Sequence, residues 1–337
     1  MTATELFDQY KGKKIAFITT KNLSYIRNHQ ELELLGQNSG EIRVIGSNRK
    51  NYFLRIAHVW ISLLCSSFRR YDVVFVGFAP QLICPFWAWK FPGSVHIDFF
   101  ISLYDTFVND RKICKPGSVC ARILEYLDRR TADAAEYIVC DTKAHGAYFQ
   151  KAFGVEEKKE VILYLQANSH IYYPRETVKR EELREKYVVL YFGSILPLQG
   201  IEVILECIRL LAGNKDIYFQ IVGPVKEKAE DNLGNTEFIP WLEEEKLAEY
   251  IAAADLCLAG HFNAGIEKAK RTIPGKAYIY EAMGKPMILG DNPANRELFA
   301  EDQRHFFVEM GNAEKLADRI RECFERTGVW CQMCEQK

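Results

Sequence analysis

The sequence predicts an α/β protein of two Rossmann-like, doubly wound parallel-sheet domains that face a central cleft. Three observations carry this expectation. Short continuous apolar runs alternate with helical patterns, which is how strands buried on both faces and joined by helices must read. The series starts afresh after the charged stretch 175–186. The length, 337 residues, exceeds what one ordinary hydrophobic core supports, so two domains are expected.

The first series opens with K-K-I-A-F-I-T-T from Lys13 to Thr20, a buried-strand pattern, and continues with apolar runs at 42–45, 72–77, 95–97 and 137–140. Helical patterns fall between them at 26–35, 54–68, 81–89 and 119–132. The second series reads strand 188–192, helix 201–211, strands 217–222 and 237–238, helix 244–253 and strand 256–258. A helix from Pro274, strand 287–289, helix 295–299 and a final helix 313–326 complete it. The join, N-S-H-I-Y-Y-P-R-E-T at 168–177, carries turn and proline signals ahead of the rise in charge, as a linker does. The expected domains are 1–173 and 174–318, with 319–337 as a terminal helix and tail able to cross back to the first domain.

Composition narrows the function classes. Apolar residues make up 48% and charged residues 26% of the chain, which is globular usage. Lys and Arg number 44 against 45 Asp and Glu, so a nucleic-acid binder working through bulk positive charge is excluded. The first twelve residues lack the apolar core of a signal peptide, and the greasy stretches near 56–65 and 73–89 are too broken to span a bilayer. A cytoplasmic protein is expected, either free or at the cytoplasmic face of a membrane. Ten cysteines lie mostly in apolar runs, among them Cys65, Cys84, Cys140, Cys207 and Cys257, which suits reduced packing rather than a disulfide framework. Cys331 and Cys334 form a lone C-x-x-C with too few companions for a structural zinc site.

Chemistry concentrates between Lys268 and Phe299, K-A-K-R-T-I-P-G-K-A-Y-I-Y-E-A-M-G-K-P-M-I-L-G-D-N-P-A-N-R-E-L-F. Lys268, Lys270, Arg271 and Lys276 surround Pro274 at a first helical turn, where free amides and the helix dipole favour an anion. Several cations together point to a phosphate or diphosphate. The alternative is a basic helix face turned to solvent.

With these residues in view, the chain resembles retaining glycosyltransferases of the two-Rossmann (GT-B) type, in the broad family 4 group and its surface-polysaccharide subset. The matching segments are Y-F-G-S-I-L-P-L-Q-G-I-E at 191–202, I-V-G-P at 221–224, K-A-K-R-T-I-P-G-K, E-A-M-G-K-P and N-P-A-N-R-E-L-F. The resemblance implies transfer of a sugar from a nucleotide diphosphate sugar to a carbohydrate or lipid-linked glycan, with neither metal nor cofactor. It implies a donor site at Gly193, Ser194, Gln199, Gly200, His261, Phe262, Lys268, Arg271, Lys276 and Glu281. Many family members carry Arg and Lys where this chain has Ser194 and Gln199, so the charge is expected from Lys268, Arg271 and Lys276. The family's pair of glutamates seven residues apart is broken: with Glu281 as the second, the first falls on Ile273. Base recognition is expected near 240–242 and 260–262.

On the acceptor side, H-I-D-F-F-I-S-L-Y-D-T-F-V-N-D-R at 96–111 leaves a strand and carries Asp98 and Asp105 into a loop. Either carboxylate can orient or deprotonate an acceptor hydroxyl, or cap a helix. The segments L-D-R-R-T-A-D at 127–133 and C-D-T-K-A-H at 140–145 recur in the same subset, and His96 and His145 are weaker candidates. No G-x-G-x-x-G follows the first strand, which argues against a nicotinamide enzyme. Trp87, Trp89, Lys90 and Phe91, near Arg69 and Arg70, suit either a membrane interface or a core. A nucleotide-sugar epimerase and a non-catalytic partner subunit are the rival functions.

Overall fold

Each apolar run becomes a strand in one of two six-stranded, all-parallel sheets. The computed structural model describes residues 1–225 and 233–335, with side chains through 327, and divides into compact units at 1–166 and 167–337.

In the first unit the strands are β1 (Lys14–Ile18), β2 (Glu41–Ile45), β3 (Val73–Val76), β4 (Ser94–Asp98), β5 (Tyr137–Cys140) and β6 (Glu160–Ile162), in the order β2-β1-β3-β4-β5-β6. The period of two divides their side chains between two cores. Ala16, Ile18, Val74, Val76, Ile97 and Ile138 face α3 (Tyr52–Cys65), α4 (Cys84–Trp87), α5 (Val119–Ala134) and α6 (Lys143–Phe153). Ile15, Phe17, Val73, Phe75 and Val139 face α1 (Ala3–Asp8) and α2 (Ile26–Asn38).

The second sheet runs β12-β11-β10-β7-β8-β9. Its strands are β7 (Tyr187–Phe192), β8 (Ile217–Val222), β9 (Thr236–Ile239), β10 (Leu256–Gly260), β11 (Met287–Gly290) and β12 (His305–Val308). The helices are α7 (Ile201–Leu210), α8 (Glu244–Ala253), α9 (Gly275–Ala282), α10 (Pro293–Leu298) and α11 (Ala313–Glu335). Helix α11 sends Leu316, Ala317 and Ile320 into the core of its own unit beside α7.

Several elements depart from the sequence expectation. α1 arises in a polar stretch because Thr2 and Glu5 form a reciprocal capping box, and it buries Leu6 and Phe7. α6 and the short strands β6 and β12 were not expected either. The helix expected over 81–89 is broken into two 3-10 turns around the four-residue α4, because Pro80 and Pro85 permit only helix starts. Among the cysteines, Cys114 and Cys120 are joined in a disulfide, against the expectation of unpaired thiols. Their separation of six residues around Pro116 and Gly117 brings them together in a turn. Cys84, Cys140, Cys207 and Cys257 are buried and unpaired, whereas Cys65 is exposed. Cys331 and Cys334 fall within α11, with side chains outside the described residues.

Candidate functional site

The order of the second sheet reverses direction between β7 and β10, and ligands of open α/β sheets bind in the crevice at the carboxyl ends of such neighbours. Here the loops leaving the two strands are drawn together. Phe262 N donates to Gln199 O at 3.2 Å, and Asn263 Nδ2 to Pro197 O at 2.8 Å. Gly200 has φ +69°, and a Cβ there would lie 2.7 Å from Asn263 N, so only glycine permits this contact.

Helix α9 aims at the same point. Pro274 is its N-cap, one place earlier than the expected first-turn position, and Lys276 is its second residue. The Lys276 side chain is buried, with Nζ donating to Gln199 Oε1 at 2.5 Å and lying 4.6 Å from the centroid of the Tyr191 ring. Bare backbone surrounds it: side chains at Gly193 and Gly260 would bring a Cβ within 3.3 and 3.2 Å of Nζ. The Tyr191 hydroxyl is buried without a hydrogen-bond partner among the described residues, and a Cβ on Gly193 would sit 3.2 Å from it.

The electrostatics follow from this geometry. Burial lowers the Lys276 pKa to about 7, because its neighbours are a neutral amide oxygen and aromatic faces rather than a carboxylate. A buried ammonium so placed is costly unless an anion joins it. A helix that begins more than 70 residues further on thus sets a cation against the side chain at position 199.

The other expected donor residues fall into distinct groups. Ser194 is exposed and shares a shallow depression with Gly223, Pro224, Pro240 and Trp241, whose indole is 61% exposed. His261 is buried in the left-handed conformation at φ +58°, and its Nδ1 donates to Thr272 O at 2.9 Å, which fixes the proton on Nδ1. The Phe262 side chain belongs to the core, its N–H goes to Gln199 O, and its carbonyl accepts from Gly311 N at 2.6 Å. Lys268 lies on the 3-10 turn Glu267–Lys270 that precedes α9, Arg271 closes that turn, and both are half-buried.

Glu281 is a correction. It occupies the last turn of α9, where it accepts from His305 Nε2 at 2.7 Å and pairs with Arg304 at 3.4 Å. Because α9 runs back along the sheet, this end lies beside the first residue of β12, at the strands' amino edge, away from Lys276.

The acceptor-side expectations are corrected as well. Asp98 is the last residue of β4 rather than part of a loop, and both its oxygens go to the buried Arg27, at 3.0 and 3.2 Å. Asp105 is fully buried at the start of a π-helical turn, with Asn109 Nδ2 donating to it at 2.9 Å. Neither carboxylate reaches a surface where an acceptor hydroxyl could meet it. The residue that organises this loop is Asp128, which accepts from Ser102 Oγ, Gln81 Nε2 and the amides of Leu103 and Tyr104. Its place in L-D-R-R-T-A-D was visible, but its partners lie 24 to 47 residues away.

His96 Nδ1 and the Tyr10 hydroxyl share a hydrogen bond of 2.6 Å in the core, and burial lowers the His96 pKa to about 3, so it is neutral and structural. His145 pairs with Asp141 at 2.6 Å. Trp87 and Phe91 are core residues, and only Trp89 of that aromatic trio is exposed.

Comparison with known proteins bears on the domain type and the fold. Residues 186–326 match the family model described as Glycosyl transferases group 1. No curated protein matches the chain. Among solved structures, a sucrose-phosphate synthase from Thermosynechococcus elongatus shares 14% identity over 93% of this chain and 90% of that one, with a TM-score of 0.66. HepE from Anabaena shares 16% over 93% and 90%, with a TM-score of 0.63. A glycosyltransferase from Rickettsia africae shares 15% over 95% and 90%, with a TM-score of 0.63. At such identities the likeness establishes the fold. The second unit carries a domain of the glycosyl transferases group 1 type, in a chain with the two-domain Rossmann-like architecture known as GT-B.

Proposed function

We propose that this chain transfers a sugar from a nucleotide diphosphate sugar to a carbohydrate hydroxyl, with retained anomeric configuration, in the assembly of a polysaccharide or lipid-linked glycan. One observation carries the reading: Lys276 is buried at the β7–β10 crossover and, among the described residues, its side-chain acceptor is the neutral Gln199. When the bond from sugar to diphosphate breaks, negative charge collects on the leaving phosphate oxygen. An ammonium already desolvated at that point stabilises the charge without having to reorganise. The first amides of α9 add to it, and Lys268 and Arg271 supply further cations from the preceding turn. In this reading cations and amides neutralise the diphosphate, and no metal or cofactor is given a part.

The nucleoside half is assigned to the depression beside Ser194 and Trp241, where the exposed indole offers a face for a base. HepE has been solved with UDP and with UDP and glucose, which makes a uridine diphosphate the first ligand to try. Asp98, Asp105 and Glu281 receive no catalytic part.

Isothermal titration of nucleoside diphosphates into the wild type and Lys276→Ala tests the donor assignment; equal affinities would end it. Ser194, Gln199 and Ile273, at positions where the resemblance implies charged residues, favour a non-catalytic partner as the second reading, which requires that the isolated chain bind no nucleotide sugar. Product analysis with donor alone separates transfer from epimerisation, since only an epimerase turns over without an acceptor.

A further inference from the structure

Apart from exposed His58, the outer face of α3 is apolar where a helix packed on a sheet ordinarily presents polar groups to water. Val59 and Leu63 turn into the core, while Phe53, Leu54, Ile61 and Leu64 are exposed, Phe53 at 81%. The helix has one charged residue, Arg55, and that side chain is itself buried, donating to the Arg49 carbonyl. The segment 84–90 extends the same surface with exposed Phe86 and Trp89. It is fixed to α3 by the Trp60 ring, 5.4 Å from Phe86, and by Lys90 Nζ, which donates to the carbonyls of Leu63 and Leu64 at 2.8 and 3.1 Å.

Cations predominate around this surface, although Arg70 is paired with Glu41 at 3.4 Å. Residues 42–97 contain seven Lys and Arg but a single acid, Asp72, in a chain whose totals are 44 and 45. Asp72 accepts the Lys14 amide at the start of β1. Arg49 and Lys50 are exposed just before α3, and Arg69 and Arg70 just after it.

We infer that the outer face of α3, with Phe86 and Trp89, docks on a lipid bilayer carrying anionic headgroups. Aromatic and aliphatic side chains enter the headgroup boundary while the flanking cations meet anionic lipid. At 14 residues α3 is shorter than the roughly 20 needed to span, and among the described residues no helix is long and apolar enough to cross a membrane. A second copy fits less well, because a two-fold contact would set this cationic surface against itself.

The test is co-sedimentation of the full chain with vesicles of phosphatidylcholine alone and of phosphatidylcholine with phosphatidylglycerol. The wild type is expected to partition onto the anionic vesicles. The exposed-site triple variant Phe53→Ser, Leu64→Ser, Trp89→Ser should lose at least about 100-fold in partition with an unchanged circular dichroism spectrum. Charge reversal by Arg49→Glu with Lys50→Glu should lose about 30-fold. Wild-type protein that stays in the supernatant, or variants that bind as well as it does, would overturn the inference. So would a wild type that dimerises without lipid while the triple variant is monomeric, which would assign the face to a second copy. None of these results bears on nucleotide affinity, so the donor assignment stands or falls separately.

Discussion

The carboxyl ends of the two all-parallel sheets are built from different strand orders, and they treat buried charge differently. In the first unit, the charges collected there are answered from within. Arg27 takes both oxygens of Asp98 and lies 3.4 Å from Glu31, His145 holds Asp141, and Asp128 is wrapped by amides, a hydroxyl and Gln81. In the second unit, Lys276 is just as deeply placed but meets a neutral Gln199. The difference separates two uses of a buried charge. One fixes loops in place and is answered by its own unit; the other is the charge that a ligand would compensate in the proposed donor site.

The largest effect that could break this comparison lies in the first unit. Arg27→Met leaves Asp98 and Glu31 buried without their cation, and burial already pushes the Glu31 carboxyl well above its ordinary range. Removing one partner of a buried pair costs about 3–5 kcal/mol, so urea denaturation of the variant should show a loss of that size. A loss below about 1 kcal/mol would mean the pair is not what stabilises this end of the sheet.

Next is the second unit, where the same kind of removal should act in the opposite direction on stability. Lys276→Ala is expected to weaken nucleoside diphosphate binding by about 2–3 kcal/mol, roughly 30- to 150-fold, the worth of a charge-assisted contact in a desolvated site. Lys276→Met should meanwhile raise the melting temperature of the free protein by a few degrees, since an uncompensated ammonium is removed from the interior. The sign follows from linkage. The folded pKa of about 7 lies below the ordinary lysine value of 10.5, so the unfolded chain binds the extra proton between those values. Wild-type stability should therefore rise with pH across that window, and the methionine variant should lack that part of the slope.

What the sequence disclosed follows the same division. The two parallel sheets were legible because buried strands print continuous apolar runs, and the β7 and β10 exits were legible because glycines stand at their ends. Lys276 was legible as a cation after a helix-starting proline. Its contact with Gln199 was not, because 77 residues separate them and only the crossover brings them together. Asp98 and Asp105 were misplaced for a related reason. A carboxylate near a strand end reads the same whether it faces a substrate or a buried arginine, and the arginine here lies 71 residues earlier. Trp87, Trp89 and Phe91 share one composition signal, and only packing decides which of them is exposed.

The pH dependence of binding sharpens the comparison at a smaller scale. An anion beside Lys276 raises its pKa above the free value of about 7, so the contribution of the ammonium is fully present below pH 7 and fades as pH rises through the bound-state pKa. Between the two values, nucleoside diphosphate affinity should fall by up to tenfold per pH unit, about 1.4 kcal/mol, with one proton taken up on binding. Titrations in buffers of different ionisation enthalpy would measure that proton, and Lys276→Ala should abolish it.

The smallest effect is expected at the far end of the helix that carries Lys276. Glu281 joins a part-exposed cluster with His305 and Arg304, and such pairs contribute about 0–1 kcal/mol. Glu281→Gln keeps the side-chain volume and one acceptor oxygen for His305 Nε2, so stability should fall by less than about 1 kcal/mol. Nucleoside diphosphate affinity should not change, because helix α9 places this residue at the amino edge of the sheet and Lys276 at the carboxyl edge. A tenfold loss of affinity in Glu281→Gln would mean that the ligand reaches along the whole helix, and the division between a compensated end and a waiting one would then fail inside a single element.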